Sequence, residues 1–474
     1  MSNSIKFGTD GWRAIIAEDF TFDNVRACAQ GVANYLKENK AAGSGLVIGY
    51  DTRFASEDFA AAAAEVIAGN GVKVHLCPAP APTPVISYAV TATKSAGAII
   101  ITASHNPGQW NGFKYKDDTG ASAPTEMVSL IEKNTNNVLS SGKITRIALS
   151  EGIASGTIIY YDPLPAYKEQ LARLIDISSL RQNRLKIIVD SMYGAGIGYF
   201  RTFLGNGNLE IIEINAYRNP LFPEIQPEPI AKNLTKLSAQ IKEQKADIGL
   251  ATDGDADRIG IVDEKGVFLN PHQVFALLTL YFLEIRGERG PIIKSLCSTD
   301  MLYSLGKLFN VPVYETKVGF KYVAPLIKEK DAFIGGEESG GYGFRGHVPE
   351  RDGILAGLYF LDFMMKTNKT PSQLLDYLYS KVGPHYYGRY DFHISPDQRQ
   401  VFLDNIGQKP PDSIAGIKVA KLNTADGFKY ILSDGSWLLL RFSGTEPLIR
   451  VYAETHAQEQ VQQFLDTGKE MLGI

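Results

Sequence analysis

The chain is short of several things, and each shortage closes a class of function. Only three cysteines, Cys28, Cys77 and Cys297, occur in 474 residues. They lie far apart, without metal-binding or redox spacing, so they are expected to be reduced and buried, as suits a cytoplasmic protein. There is no excess of charge: 48 Lys and Arg face 52 Asp and Glu, a formal net charge of −4. That balance gives no reason to expect nucleic acid or an anionic membrane as partner. No apolar run approaches the roughly 20 residues that span a bilayer. The N-terminus, Met1-Ser2-Asn3-Ser4-Ile5-Lys6, lacks the apolar core of a signal peptide. Low-complexity tracts are absent, and no strong internal repeat stands out.

What remains is an alternation of strands and helices, in a chain too long for one core. A size of roughly 100–200 residues per domain predicts three or four domains. Leu46–Tyr50 reads as a buried strand ending at Asp51, after a helix with Val25, Cys28, Ala29, Val32 and Leu36 on one face. A helix is expected over Phe59–Ala68 and a strand from Val72. Pro78 to Pro84 is expected to be an extended loop, since proline breaks helices. Lys186–Asp190 and Ala246–Ala251 read as strands of a second unit. A helix around Val274–Leu283 and strands at Pro291–Ile293 and Ala332–Ile334 form a third. Breaks are expected near Lys133–Lys143, at Asp162-Pro163 and near Lys381–Pro384. The expected domains are 1–145, 160–265, 266–380 and 385–474. The last is a smaller α+β unit with strands at Tyr387–His393, Trp437–Arg441 and Leu448–Glu454 and a final helix.

Four loops carry chemistry. Thr102-Ala103-Ser104-His105-Asn106-Pro107 follows the apolar run Ala98–Ile101 and places Ser104 as an exposed nucleophile. Asp253-Gly254-Asp255-Ala256-Asp257-Arg258 holds three carboxylates in five residues. Such crowding raises pKa values unless a cation intervenes, and an oxygen-only donor set suits Mg²⁺. An EF-hand is the competing reading, because Glu264 falls at its position 12. Arg258 at the glycine position and strand-like flanks oppose it. Arg258 instead fits a phosphate, or orients the serine. Gly335 to Gly341 carries Glu337 and Ser339, suited to vicinal sugar hydroxyls. Arg441-Phe442-Ser443-Gly444-Thr445-Glu446-Pro447, with Arg450, has the donors to hold a phosphate. Lys114 is a candidate phosphate or acid/base lysine. His347 is a candidate acid/base group, although an isolated histidine is as a rule structural.

With Phe7-Gly8-Thr9-Asp10-Gly11-Trp12-Arg13 at the start and these four loops in order, the chain resembles the α-D-phosphohexomutase superfamily nearly end to end. The superfamily includes phosphoglucomutase, phosphomannomutase and phosphoglucosamine mutase. The resemblance implies an α/β fold: three related α/β domains plus a smaller C-terminal α+β domain around a central cleft. It implies that Ser104 carries a phosphoryl group to a hexose monophosphate, with a bound hexose 1,6-bisphosphate (glucose 1,6-bisphosphate for glucose) as intermediate and activator. Mg²⁺ would be held by Asp253, Asp255, Asp257 and a phosphoserine oxygen of Ser104. Arg13, Lys114 and Arg258 would position the transferring group, and Lys114 or His347 would move a proton. Glu337 and Ser339 would recognise hydroxyls. Arg441, Ser443, Gly444 and Thr445 would hold the other phosphate.

The Gly336-Glu337-Glu338-Ser339 string is similar to glucose-preferring members. Dual glucose and mannose activity is the alternative, and glucosamine phosphate a further one. A metal-dependent phosphatase or a silent sugar-phosphate binding protein lies in another class. Neither needs both the serine centre and a separate phosphate anchor. The partner expected is a hexose phosphate, with no nucleic acid and no membrane, and the chain is expected to act as a monomer or homodimer.

Overall fold

The computed structural model describes residues 4–8, 10–408, 411–443 and 448–473. Gly444 and Thr445 of the candidate phosphate loop therefore lie outside the described residues, as does Thr9. Among the described residues four sheets succeed one another.

The first sheet runs, in spatial order, Trp12–Ile15, Trp110–Lys116, Ala98–Ile101, Leu46–Tyr50, Val74–Leu76 and Ile158–Tyr160. Its centre is parallel, and Leu46–Tyr50 is buried along its whole length, as expected of a strand covered on both faces. Helices Phe22–Glu38 and Ser56–Gly69 cover it, the first capped by Thr21, whose side chain accepts from Asn24 N–H. The edge strand Ile158–Tyr160 pairs in parallel with Val74–Leu76, so this sheet continues past residue 145. The polar stretch at Lys133–Lys143 is not irregular chain. Most of it belongs to the helix Thr125–Ser141, whose buried Ile131, Thr135 and Val138 face inward.

The second sheet runs Phe268–Leu269, Ile259–Val262, Ile248–Thr252, Lys186–Asp190 and Glu210–Ile214. The third runs Val313–Thr316, Ile292–Ser295, Ile334–Gly336 and Tyr342–Phe344. The fourth is wholly antiparallel: Tyr386–His393, Leu448–Thr455, Trp437–Phe442, Phe428–Leu432, Ile417–Asn423 and Ser413–Ile414, with the helix Gln458–Leu472 packed on it. The first three sheets mix parallel and antiparallel pairs and carry helices; the fourth is the smaller α+β unit.

The proline-rich loop ends earlier than expected. A helix starts at Thr83 with Pro84 in its first turn, where a missing N–H costs nothing. The strand expected at Ala332–Ile334 is shifted to Ile334–Gly336. Among the described residues no helix is long and apolar enough to cross a membrane.

Chemistry collects where strands end. Ser104 follows Ala98–Ile101, Asp253 follows Ile248–Thr252, and Glu337 follows Ile334–Gly336. These are the carboxyl ends at which open α/β sheets bind ligands.

Candidate active site

The serine loop is a hairpin between Ala98–Ile101 and Trp110–Lys116, which pair antiparallel with Ile100 opposite Lys114. Side chains alternate along a strand, so Lys114 and Lys116 share one face while Phe113 and Tyr115 enter the core. Ser104 sits at φ +53°, in the left-handed region. It is buried rather than exposed, because the acidic loop of the second sheet packs over it. Its N–H bonds Thr102 Oγ1 at 2.8 Å, and Thr102 Oγ1 donates to Asp51 Oδ2 at 2.6 Å. Ser104 Oγ donates to Asp253 Oδ2 at 2.9 Å and lies 3.3 Å from His105 Nδ1. Burial, and then the charges of Arg258, Arg13 and Lys114, depress the His105 pKa, which keeps the ring neutral.

The acidic loop meets this hairpin at Gly254. A Cβ there would fall 2.3 Å from the Ser104 carbonyl oxygen, so only glycine permits the approach. The flanks are the strands Ile248–Thr252 and Ile259–Val262, which excludes the helical frame of an EF-hand. Glu264 is turned elsewhere, accepting from the Ser372 N–H and hydroxyl.

Asp253, Asp255 and Asp257 are fully buried and offer oxygens within 4.8 Å of one another. Lys114 Nζ lies 2.8 Å from Asp255 Oδ2, 2.8 Å from Asp10 Oδ2 and 3.7 Å from Asp257 Oδ2. Thr83 Oγ1 donates to the same Asp255 oxygen at 2.6 Å. Arg351 Nη2 donates to Asp257 Oδ2 at 2.6 Å. The other oxygens, Asp255 Oδ1 and Asp257 Oδ1, are buried without a hydrogen-bond partner. Buried orphan acceptors of this kind are what a divalent cation satisfies, so the residues present fit one. Burial and the neighbouring Asp257 and Asp255 raise the Asp253 pKa well above the ordinary range. Burial acts most strongly on Asp255 too, but the Lys114 charge together with the hydrogen bonds from Lys114 and Thr83 holds that pKa down.

Cations surround the cluster. Arg258 Nε lies 3.9 Å from Asp253 Oδ2 and 3.8 Å from Asp257 Oδ1, and its Nη1 lies 3.4 Å from Glu228 Oε1. Arg13, on the first strand, donates from Nη1 to Asn106 Oδ1 at 2.7 Å, within the serine loop.

Sequence reasoning missed three groups. Arg53 is wholly buried, and its five guanidinium N–H groups reach Asp51 Oδ2 and the carbonyls of Ser104, Asn106, Pro107 and Trp110 at 2.7–3.1 Å. Asp10 lies beside Lys114, Lys116 and Arg351. Arg351 joins Asp10 and Asp257 to Glu337, whose Oε2 is 3.5 Å away. The strand ending at Asp51 was the one signal that pointed toward Arg53.

Glu337 is buried, accepts from Gly319 N–H at 2.8 Å, and has its pKa pushed up to about 7 by burial against the pull of Arg351. Ser339 is half-buried in the turn that follows. Arg441 stands directly across the sheet from Arg450. Like charges so placed repel, and here carboxylates offset them: Asp426 Oδ2 is 3.0 Å from Arg441 Nε, and Asp391 Oδ2 is 3.7 Å from Arg450 Nε. Ser443 follows at the strand's end and bonds Leu448 through its backbone.

His347 is placed differently from the acid/base expectation. Its side chain is buried between Tyr88, stacked at 5.8 Å, and Tyr167, and it bonds Asp352 Oδ2 at 3.0 Å. Asp352 also accepts from Tyr167 and caps the helix Gly353–Thr367. The ring therefore supports packing, in keeping with the rule for an isolated histidine.

Comparison with known proteins agrees with this geometry. Models of phosphoglucomutase/phosphomannomutase alpha/beta/alpha domains I, II and III match residues 4–141, 165–266 and 270–382, and the C-terminal domain model matches 403–468. A phosphoglucomutase/phosphomannomutase of Thermococcus kodakarensis is 31% identical, over 98% of each chain. A probable phosphoglucosamine mutase of Methanothermobacter thermautotrophicus is 30% identical, over 96% of this chain and 95% of its own. A crystal structure from Thermus thermophilus, described as a phosphomannomutase, superposes with a TM-score of 0.86 at 35% identity, covering 100% of both chains. The chain belongs to the phosphoglucomutase/phosphomannomutase family and is an enzyme of the phosphohexomutase class of isomerases.

Proposed function

We propose that the chain interconverts glucose 1-phosphate and glucose 6-phosphate through a phosphorylated Ser104 and glucose 1,6-bisphosphate. The observation that carries this reading is Ser104 Oγ, 2.9 Å from Asp253 Oδ2, beside carboxylates whose orphaned oxygens call for a cation. In the forward step the free hydroxyl oxygen of the hexose monophosphate attacks the phosphorus on Ser104. The P–Oγ bond breaks, and the hydroxyl proton passes in net terms to Ser104 Oγ. The bisphosphate turns end for end. Ser104 Oγ then attacks the other phosphorus, giving up its proton, which ends on the oxygen of the departing sugar.

Each chain group has a part in this scheme. Arg13, Lys114 and Arg258 balance the charge of the transferring phosphoryl group. Asp253, Asp255 and Asp257, with an oxygen on Ser104, would hold Mg²⁺, which when bound supplies a Lewis acid for that group. Lys114 is the group we assign to proton donation, given the placement of His347. Glu337 and Ser339 take sugar hydroxyls. Arg441, Ser443, Gly444, Thr445 and Arg450 hold the phosphate that is not reacting. That anchor orients the sugar, and orientation accounts for a large share of such rate gains. All these groups come from one chain, so a monomer suffices.

Glucose preference is supported by Glu338 beside Glu337 in the sugar loop. The name of the Thermococcus relative favours a second reading, dual glucose and mannose activity. A phosphatase would have no use for an anchor at Arg441. The test is a coupled assay with Mg²⁺ and a trace of glucose 1,6-bisphosphate, comparing glucose, mannose and glucosamine 1-phosphates. Fast glucose 1-phosphate turnover, lost in Ser104→Ala, is the expected result. Comparable mannose turnover moves the assignment to dual specificity, and release of inorganic phosphate without isomerisation sinks it.

A further inference from the structure

The phosphate anchor and the sugar loop lie on different sheets, and a short network joins them. Residues 423–427 of the last sheet turn between the strands Ile417–Asn423 and Phe428–Leu432 and reach the end of the strand Val313–Thr316. Asn423 Nδ2 donates to Glu315 Oε1 at 3.1 Å. Asp426 Oδ2 accepts twice, from Arg441 Nε at 3.0 Å and from the backbone N–H of Val318 at 2.9 Å. The next N–H along the chain, that of Gly319, donates to Glu337 Oε1 at 2.8 Å. One carboxylate and two consecutive peptide N–H groups thus separate the anchoring guanidinium from the hydroxyl-binding carboxylate.

The turn is held tight against the anchor. Gly427 has φ +108°, and a Cβ there would fall 2.6 Å from the Leu440 carbonyl, on the strand that carries Arg441. A second tie runs from the sugar loop. Glu338 accepts from Cys297 Sγ at 2.8 Å, and the charges of Arg389 and Arg441 help hold its carboxylate ionised.

We infer that Asp426 is a positioning residue that sets the separation between Arg441 and Glu337, and so selects substrates by the span from their phosphate to their hydroxyls. This rests on the reading of Arg441 as phosphate anchor and Glu337 as hydroxyl acceptor. An arginine side chain left to itself samples many rotamers, and its head group wanders. Asp426 refers that head group to a backbone N–H beside the sugar loop rather than to its own sheet. Charge-assisted bonds to a carboxylate are short and directional, so the reference is stiff.

The test compares wild type with Asp426→Ala and Asp426→Asn. KM and kcat are measured for glucose 1-phosphate, together with the inhibition constant of inorganic phosphate, which is too small to span the anchor and the sugar loop, and the melting midpoint. Removing Asp426 should raise KM about tenfold or more and lower kcat as well, because a loosened anchor holds the sugar in poorer orientation. The phosphate inhibition constant should stay within about twofold, because Arg441 remains. Asn keeps an acceptor oxygen and should fall between, and it carries the test if the alanine variant melts early. An unchanged KM overturns the inference. So does an inhibition constant that rises in step with KM, since Asp426 would then only keep Arg441 in place. Failure of wild type to isomerise any hexose phosphate defeats the underlying reading instead, whatever the variants do.

Discussion

The Ser104 carbonyl oxygen accepts a 2.7 Å hydrogen bond from Arg53 Nη2, and the rest of that guanidinium is spent on the same loop and on Asp51. The backbone of the proposed nucleophile is therefore gripped by a buried cation that has no need to touch substrate. Arg53→Met should leave the buried Asp51 carboxyl without its counter-charge, costing about 3–5 kcal/mol of stability by analogy with broken buried pairs. Arg53→Lys keeps the charge but cannot span four carbonyls, so kcat should fall about tenfold or more while the fold survives. Denaturant unfolding and single-turnover phosphoryl transfer from Ser104 distinguish the two. Wild-type kinetics in the lysine variant would refute the grip.

The three buried aspartates predict a stability effect of metal that is independent of turnover. Adding Mg²⁺ to chelator-treated protein should raise its melting midpoint, since at 100 times Kd a ligand stabilises by about 2.7 kcal/mol. Asp255→Asn and Asp257→Asn should each blunt the rise. A midpoint indifferent to the cation would remove the metal reading.

Asp190 ends a central strand of the second sheet and is buried. It accepts from Met192 N–H and Asn215 Nδ2, with its Oδ2 unpartnered. Burial raises its pKa from 3.8 to about 6. The folded state thus prefers the proton. Its contribution to stability is present below pH 4 and is lost as the pH rises through about 6, amounting to about 3 kcal/mol. Asp190→Asn cannot ionise, so its stability relative to wild type should climb across that window and level off above it. Unfolding curves at a series of pH values measure the difference, and parallel curves would contradict the assignment.

His347→Gln addresses the one candidate that the tertiary structure moved away from catalysis. Its kcat and pH profile should match wild type within about twofold, while stability drops by about 1–3 kcal/mol as Asp352 loses a partner. A loss of kcat at unchanged stability would restore an acid/base role.

Much of the candidate site was legible before the fold. Ser104 after an apolar strand, three aspartates at another strand's end, and the Gly335–Gly341 turn are local strings, and their chemistry follows from residue type and spacing. The alternation of buried strands and amphipathic helices likewise announced the α/β layers, because periodicity reports which face meets the core. Local signals failed where partners are remote. The polar stretch at Lys133–Lys143 suggests a break by its charge, and its periodicity gave no sign of the helix with an inward face in which most of it lies. Ile158–Tyr160 is too short for periodicity to assign to the first sheet.

By itself the sequence determined which side chains are available and where strands end, since those depend on neighbours along the chain. Only the tertiary structure decided which of them meet. Arg351 reaches Asp10 across 341 positions, Arg53 reaches the serine loop across more than 50, and His347 is turned into an aromatic stack. Those pairings arise from packing several sheets so that buried charges find opposite charges and buried donors find acceptors. No short stretch of residues encodes that condition.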